Sequence, residues 1–284
     1  MILVTGATGN LGNAIIRQLQ KKLNFNEFSA LARNPEKAKE VLYEKVEVRI
    51  GDFNDSQSLL NAFEGVDKLV LISTMEQNRF NQHKNVIDAA KKEGVKHIYY
   101  TSLAIKDIYT SAVKDLMISH FETEEYIIQS GIEYTIFRNT MYAEALPQIL
   151  NHLMIDNKLQ VPAGKGKVPF ALRNELGEAI ANLVIEEGHE NKIYNLTGSK
   201  SFSINDIVEG FNQIKKLNIE YNESTENQYQ ETLNKLGFPD FVSYLHRGTV
   251  ADIKADQYDF VTKTVANALG RETASLNEII EKIF

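Results

Sequence analysis

The residues best suited to chemistry come at the start of the chain. Thr5-Gly6-Ala7-Thr8-Gly9-Asn10-Leu11-Gly12 follows a short apolar run and precedes a helical pattern set by Leu11, Ile15, Leu19 and Leu23. A turn this tight needs residues without a β-carbon, because the backbone enters positive φ and must approach a ligand closely. The helix beyond it offers unbonded N–H groups and the positive end of its dipole, which suits a pyrophosphate. The spacing is G-x-x-G-x-x-G rather than the G-x-G-x-x-G of the common dinucleotide fingerprint. Gly6, Ala7, Thr8, Gly9, Asn10, Leu11 and Gly12 are therefore expected to hold the pyrophosphate, with Gly12 letting the helix lie close to the sheet. No Gly-Lys-Ser/Thr follows, which disfavours a P-loop, and Gly164-Lys165-Gly166-Lys167 reads as a hairpin loop.

The second strand favours one nucleotide, unless Arg33 is only a solvated arginine at a strand end. NAD binders place an acid near its end to accept from the ribose 2′-hydroxyl. Here the stretch reads Ser29-Ala30-Leu31-Ala32-Arg33-Asn34-Pro35, without an acid. Arg33 instead offers a fork of donors where a 2′-phosphate would lie, with Lys37 as a weaker helper, so the expected cofactor is NADPH. Asp52 could accept from the adenine amine or be an ordinary turn aspartate, and Phe53 could flank the ring. Ser73 and Thr74 end the fourth strand and should run beside the ribose and pyrophosphate, since ligands bind at the carboxyl ends of strands in such sheets.

These residues need a scaffold that brings strand ends together. Strands are expected over residues 2–5, 28–31, 46–50, 68–73, 97–101 and 134–137, alternating with amphipathic helices. Asp55 should cap one helix, and Gly94 should stop another that carries Val86, Ile87 and Ala90. Strands two, three and four show little polar alternation, as when both faces are covered. The pattern predicts an α/β fold: a Rossmann-type doubly wound parallel sheet with a smaller, interwoven C-terminal substrate lobe. Residues 1–140 form the dinucleotide-binding core, with 175–197 returning to it, and residues 141–174 and 198–284 form the acceptor lobe. Within that lobe a helix is expected over 146–155, short strands over 159–161, 168–171 and 219–221, and a helix capped by Ser203.

Bulk properties narrow the setting. At 284 residues the chain can bury a large core without staples, and with no cysteine it has no disulfide, thiolate metal site or cysteine nucleophile. A net charge of −7 argues against nucleic acid or an anionic membrane as partner. No apolar run approaches the ~20 residues that cross a bilayer. The strand-like start, with no basic leader, reads as a cytoplasmic protein rather than a secreted one. Oligomeric state is left open.

The motifs T-G-A-T-G-N-L-G, A-R-N-P, G-D-F, L-I-S-T, Q-H-K-N-V-I-D-A-A, Y-T-S-L, H-F-E-T-E, F-R-N-T-M-Y-A-E and Y-N-L-T-G run through nearly the whole chain. Together they resemble the NmrA-like branch of the atypical short-chain dehydrogenases/reductases, and within it the bacterial quinone oxidoreductases of the second type. Triphenylmethane reductases are near neighbours. The resemblance implies hydride transfer from NADPH to a quinone acceptor. The other readings are a non-catalytic NADP(H)-sensing regulator and a reductase of triphenylmethane or azo dyes.

The chain departs from the short-chain pattern in two places. Its Tyr-x-x-x-Lys pair is absent: Tyr109 comes nearest, but Lys114 is five residues on, which would turn it away on a helix. Members of the branch often end an H-x-E-T-E-K stretch in lysine, where this chain has Glu125, so a ribose contact is expected to be lost. Ser102 lies where such enzymes keep their serine and is a candidate cofactor contact or equally a plain strand-end hydroxyl. Asn139 and Tyr142 fall near the nicotinamide end of the fold. Asn139 is expected to orient the nicotinamide or acceptor carbonyl, and Tyr142 to cover the ring, lend a proton or simply pack between lobes. His83 and His120 adjoin no ligand-spaced partner, so no metal is expected.

Overall fold

The computed structural model describes residues 1–147, 154–155 and 157–284. In chain order the first half gives β1 (Ile2–Val4), α1 (Asn10–Lys22), β2 (Phe28–Ala32), α2 (Pro35–Val41), β3 (Glu47–Ile50), α3 (Ser56–Phe63), β4 (Lys68–Ile72), α4 (Arg79–Lys92), β5 (His97–Leu103), α5 (Lys114–Ser130) and β6 (Glu133–Asn139). The second half gives β7 (Met154–Ile155), β8 (Lys158–Gln160), β9 (Lys167–Val168), α6 (Arg173–Ile185), β10 (Lys192–Leu196), β11 (Phe202–Ser203), α7 (Ile204–Lys215), β12 (Glu220–Asn222), α8 (Glu226–Lys235), α9 (Asp240–Lys254), α10 (Thr264–Leu269) and α11 (Leu276–Ile283).

Among the described residues, seven strands form one parallel sheet in the order β10-β6-β5-β4-β1-β2-β3. The order reverses at β1, which pairs with both β2 and β4. In doubly wound sheets that switch point opens the ligand crevice at the carboxyl ends of the strands. Two threonines tie those ends together. Thr5 Oγ1 accepts from the Ile72 N–H at 2.9 Å, and Thr101 Oγ1 accepts from the Ser73 N–H at 3.0 Å.

The helices form where the sequence caps them. Asn34 and Asp55 accept from backbone N–H groups in the first turns of α2 and α3, and Ser203 forms a capping box with Asp206 at the start of α7. Val86, Ile87 and Ala90 of α4 join Leu3, Leu69, Leu71 and Ile98 in one buried cluster. On the other face α1 and α6 touch closely, because a Cβ on Gly177 would lie 2.6 Å from that of Ala14.

The chain divides into two compact units. The first comprises Met1–Leu103, Ile118–Asn139 and Arg173–Leu196, and the second Ala104–Met117, Thr140–Leu172 and Thr197–Phe284. The sequence reading kept residues 1–140 together, whereas Ala104–Met117 sits in the second unit. Its anchor is Asp252, a buried carboxylate that accepts from Ser111 Oγ at 2.6 Å and from the Ala112 N–H at 2.7 Å. Gln257 adds bonds to Thr110 and the Asp107 N–H. A backbone segment goes with the partners that satisfy its polar groups, and these lie about 140 residues downstream.

Other expectations need correction. β3 is an edge strand with none of its four residues buried, so its apolar reading did not reflect cover on both faces. Of the helix expected over 146–155, residues 148–153 lie outside the described residues, and Met154–Ile155 form a strand antiparallel to β8. The Gly164–Lys167 stretch does not join a hairpin: β8 pairs with β7 and β12, while β9 pairs with β11.

Candidate nucleotide site

Four strand ends of the first unit supply a cleft of about 210 Å³. It is lined by Gly6 and Thr8 after β1, Leu31, Ala32 and Arg33 at β2, Gly51, Asp52 and Phe53 after β3, and Thr74, Glu76 and Gln82 at β4 and α4. Of the expected cofactor residues, Gly6, Thr8, Arg33, Asp52, Phe53 and Thr74 are brought together here. Ala7 is fully buried beneath the turn, and Gly9, Asn10, Leu11 and Gly12 carry the chain into α1.

The turn is built as its glycines require. Gly6 takes φ +57°, a left-handed conformation that favours glycine, and its carbonyl accepts from the Gly9 N–H at 2.9 Å. A Cβ on Gly12 would lie 2.3 Å from the Gly6 oxygen, so only glycine lets α1 pack on this turn. Gly9 caps α1 without any side-chain hydrogen bond, and no acid lies in the first turn. The 13-residue helix therefore presents its leading N–H groups and positive dipole end with no acidic residue of its own first turn to quench them.

Arg33 is exposed and makes no ion pair or hydrogen bond among the described residues. Asp52 spends Oδ1 on Asn54, accepting from its N–H at 2.9 Å and its Nδ2 at 3.2 Å, and keeps Oδ2 for an external donor. Phe53 packs against the core from the cleft side, and its carbonyl accepts from Asn85 at 2.9 Å. Ser73 is held by its backbone through Thr101 and does not reach the lining.

Ser102 has a different task. Its hydroxyl donates to Glu124 at 2.5 Å, and Glu124 also accepts from Arg138 Nε at 3.0 Å and Nη2 at 2.6 Å. Glu124 is buried and satisfied by this set, so the serine completes an ion pair rather than the cleft. Glu125, the next residue, is exposed, while Thr123, Glu124 and Ile127 face inward from α5. Its acidic side chain therefore does not enter the cleft lining. Tyr109 lies in a 3₁₀ turn, and Lys114 reaches the face of its ring, 5.5 Å from the centroid. That is a cation–π contact, not the turned-away lysine expected on a helix.

The sequence reading missed the support behind Thr74. Arg79, buried to 1% exposure, donates from Nε to the Thr74 carbonyl and from Nη1 to Ser119 Oγ at 2.9 Å. Gln82 accepts from Thr74 Oγ1 at 3.0 Å, and His83 Nε2 accepts from the Thr74 N–H at 3.4 Å. Since Thr123 Oγ1 donates to the Ser119 carbonyl, it must accept from His83 Nδ1, which fixes the neutral tautomer. The signal was present: Arg79, Gln82 and His83 lie one turn or two before Val86 and Ile87, on the same buried face of α4.

Burial holds three histidines neutral. It lowers His83 to about 3, with help from Arg79, and lowers His97 to about 4, with help from Lys68. Burial also pushes His120, bonded to Tyr100 Oη at 3.1 Å, well below its ordinary value of 6.5. Each binds a proton more readily when unfolded. Their stabilisation is therefore complete above pH ~6.5 and is lost as pH falls toward the folded values. Denaturant melts at pH 7.5, 6 and 5 should show unfolding free energy falling with pH, by up to about 4 kcal/mol per unit where all three exchange. His83→Asn should flatten that slope, and a slope unchanged by it would count against this assignment.

The second unit holds an apolar cavity of about 230 Å³, lined by Met141, Tyr142, Ala145, Val161, Ile204, Leu245, His246, Thr249, Val250 and Ile253. His246 was not foreseen, because it becomes a cavity residue only when α9 folds. Asn139 ends β6 in the first unit and is buried. Among the described residues no cluster of histidine and carboxylate side chains could hold a metal, and no helix is long and apolar enough to cross a membrane.

With this geometry in view, the relationships of the chain are informative. The model of the NmrA-like family matches residues 1–277. The chain belongs to the NmrA-like family. Among NmrA-like relatives, quinone oxidoreductase 2 of Escherichia coli (strain K12) is 34% identical over 290 residues, covering 100% of this chain and 99% of that one. The solved structure of an NADPH-dependent quinone oxidoreductase from E. coli, complexed with NADPH, matches with a TM-score of 0.91 at 34% identity over the whole of both chains. Triphenylmethane reductase from Citrobacter sp., complexed with NADP(H), matches the same length with a TM-score of 0.90 at 31% identity.

Proposed function

We propose that this protein is an NADPH-dependent reductase that passes a hydride to a quinone. The observation that carries the reading is one cleft lined both by Gly6 and Thr8, of the turn that leads into an uncapped helix start, and by a cationic fork, Arg33, with no acid at the end of β2. The α1 N–H groups and the Gly6–Gly12 turn would hold the pyrophosphate, Arg33 the 2′-phosphate, and Asp52 with Phe53 the adenine. The full-length likeness to an E. coli quinone oxidoreductase supports the same reading. Bound NADPH supplies a hydride, and the quinone then needs one further proton to become the quinol.

This chain's residues meet modest demands. Asn139, at the end of β6, would orient an amide or carbonyl. The apolar cavity bordered by Tyr142 would take the acceptor ring, with Tyr142 and His246 as its titratable neighbours. No Tyr-x-x-x-Lys pair is needed, because a reduced quinone oxygen is basic enough to draw its proton from water. Tyr142→Phe should therefore lower kcat by less than about tenfold and leave NADPH affinity unchanged. An obligate proton donor would cost at least a hundredfold.

The regulator reading leaned on the missing Tyr-x-x-x-Lys pair and on Glu125; the Glu125 side chain does not line the cleft, and turnover on any acceptor would weaken that reading. A dye acceptor is separated from a quinone only by comparing them side by side. We place the protein in the reducing cytoplasm on its lack of cysteine, and its charge of −7 supports small molecules rather than nucleic acid or anionic membrane as partners. The direct test is NADPH consumption on adding menadione or benzoquinone, with NADH and a triphenylmethane dye in parallel. Quinone-dependent oxidation of NADPH, faster than of NADH, is expected. Saturating NADPH with no quinone-dependent turnover would overturn the reading.

A further inference from the structure

Helix α9 has a cavity on each of two opposite faces. Leu245, His246, Thr249, Val250 and Ile253 border the apolar one already described. Tyr244, Arg247, Gly248, Ala251 and Ala255, spaced at three, four and seven residues, border a larger one of about 400 Å³. At 100° per residue the two sets lie roughly 180° apart around the helix. The larger cavity falls in the usual size range of small-molecule sites, about 300–1,000 Å³. Its lining belongs wholly to the second unit, shares no residue with that of the nucleotide cleft, and plays no part in the proposed reaction.

Its walls are built. Ala112, on one side, is fixed by the bond from its N–H to the buried Asp252. Gly248 lets α9 press against that wall, since a Cβ there would meet Val113 at 2.5 Å. Tyr229 of α8 borders the cavity at 1% exposure, and its hydroxyl is buried without a hydrogen-bond partner. Arg247, on the same lining, is exposed and makes no ion pair or hydrogen bond among the described residues. Lys254 is already paired with Glu223 at 3.1 Å, so Arg247 is the guanidinium left for a ligand.

We propose that this cavity is a binding site for a small, flat, apolar acid. Its ring would lie against Tyr244, Pro162 and the alanines of α9, and its carboxylate on the Arg247 fork. Glu226, the acid on the lining, limits the ligand to a single negative charge. The proposal does not rest on quinone reduction, and its test needs no turnover.

Titration calorimetry with 2-naphthoate on the full chain should show one site. Arg247→Gln should weaken binding by about tenfold or more, through loss of a charge-assisted pair. Tyr229→Phe, the control, should leave binding within about twofold and thermal stability at or above that of the parent, because the lost hydroxyl is buried and had no partner. Ala251→Leu should fill the cavity and abolish binding. NADPH affinity, measured alongside, should stay constant in all three and so report intact folding. No binding at millimolar 2-naphthoate, or parental affinity in the Arg247→Gln or the Ala251→Leu variant, would overturn the proposal.

Discussion

Gly12→Ala should abolish useful NADPH binding, raising its Kd by about a hundredfold or more. The added methyl would lie 2.3 Å from the Gly6 oxygen, 2.7 Å from the Gly6 carbonyl carbon and 2.8 Å from the Ala7 Cα. All three are backbone atoms, so no flexible side chain can yield. Either α1 moves away from the sheet or the turn opens, and both displace the N–H groups meant for the pyrophosphate. A displacement of about 1 Å at a positioned site costs on the order of a hundredfold. Overpacking adds about 1–3 kcal/mol of destabilisation, which for a chain of this size lowers the melting temperature by roughly 2–10 °C. Gly9→Ala is the graded control, because its Cβ would stand 3.2 Å from the same oxygen. Calorimetry with NADPH and a thermal melt decide the matter: parental affinity in Gly12→Ala would show that the turn is not the pyrophosphate cradle.

Replacing Arg33 with alanine should erase the preference for NADPH. The guanidinium is exposed, has no ion pair among the described residues and lines the same cleft as Gly6 and Asp52. Its removal would therefore disturb no neighbour and leave the melting temperature unchanged. A charge-assisted bond to a phosphate is worth about 1.5–3 kcal/mol, so kcat/KM for NADPH should fall roughly ten- to hundredfold. The value for NADH, which has no 2′-phosphate, should move by less than about twofold on the same energy scale. Because the site is open to solvent, the parental preference should also shrink as salt is raised. Equal losses with both cofactors would mean that Arg33 supports the cleft in general rather than reading the 2′-phosphate.

Local sequence determined the parts of the site that depend on local geometry. A positive-φ glycine, a helix start without a side-chain cap, an arginine at a strand end and the α/β alternation are each set by a few neighbouring residues. They were therefore legible at Gly6, Gly9, Arg33 and across the paired strands of the sheet. Tertiary structure decided which polar groups find one another. Glu124 gathers both Ser102 and Arg138 because β5, β6 and α5 converge there. Residues 104–117 join the second unit because Asp252 satisfies their backbone. β3 is an edge because of the strand order, which no single segment contains. Thr74 is held by Arg79, Gln82 and His83, polar side chains that a hydropathy pattern reads as surface and that the fold buries. Hydrogen bonds and burial depend on distance in space, and the chain alone encodes that distance only through the completed sheet.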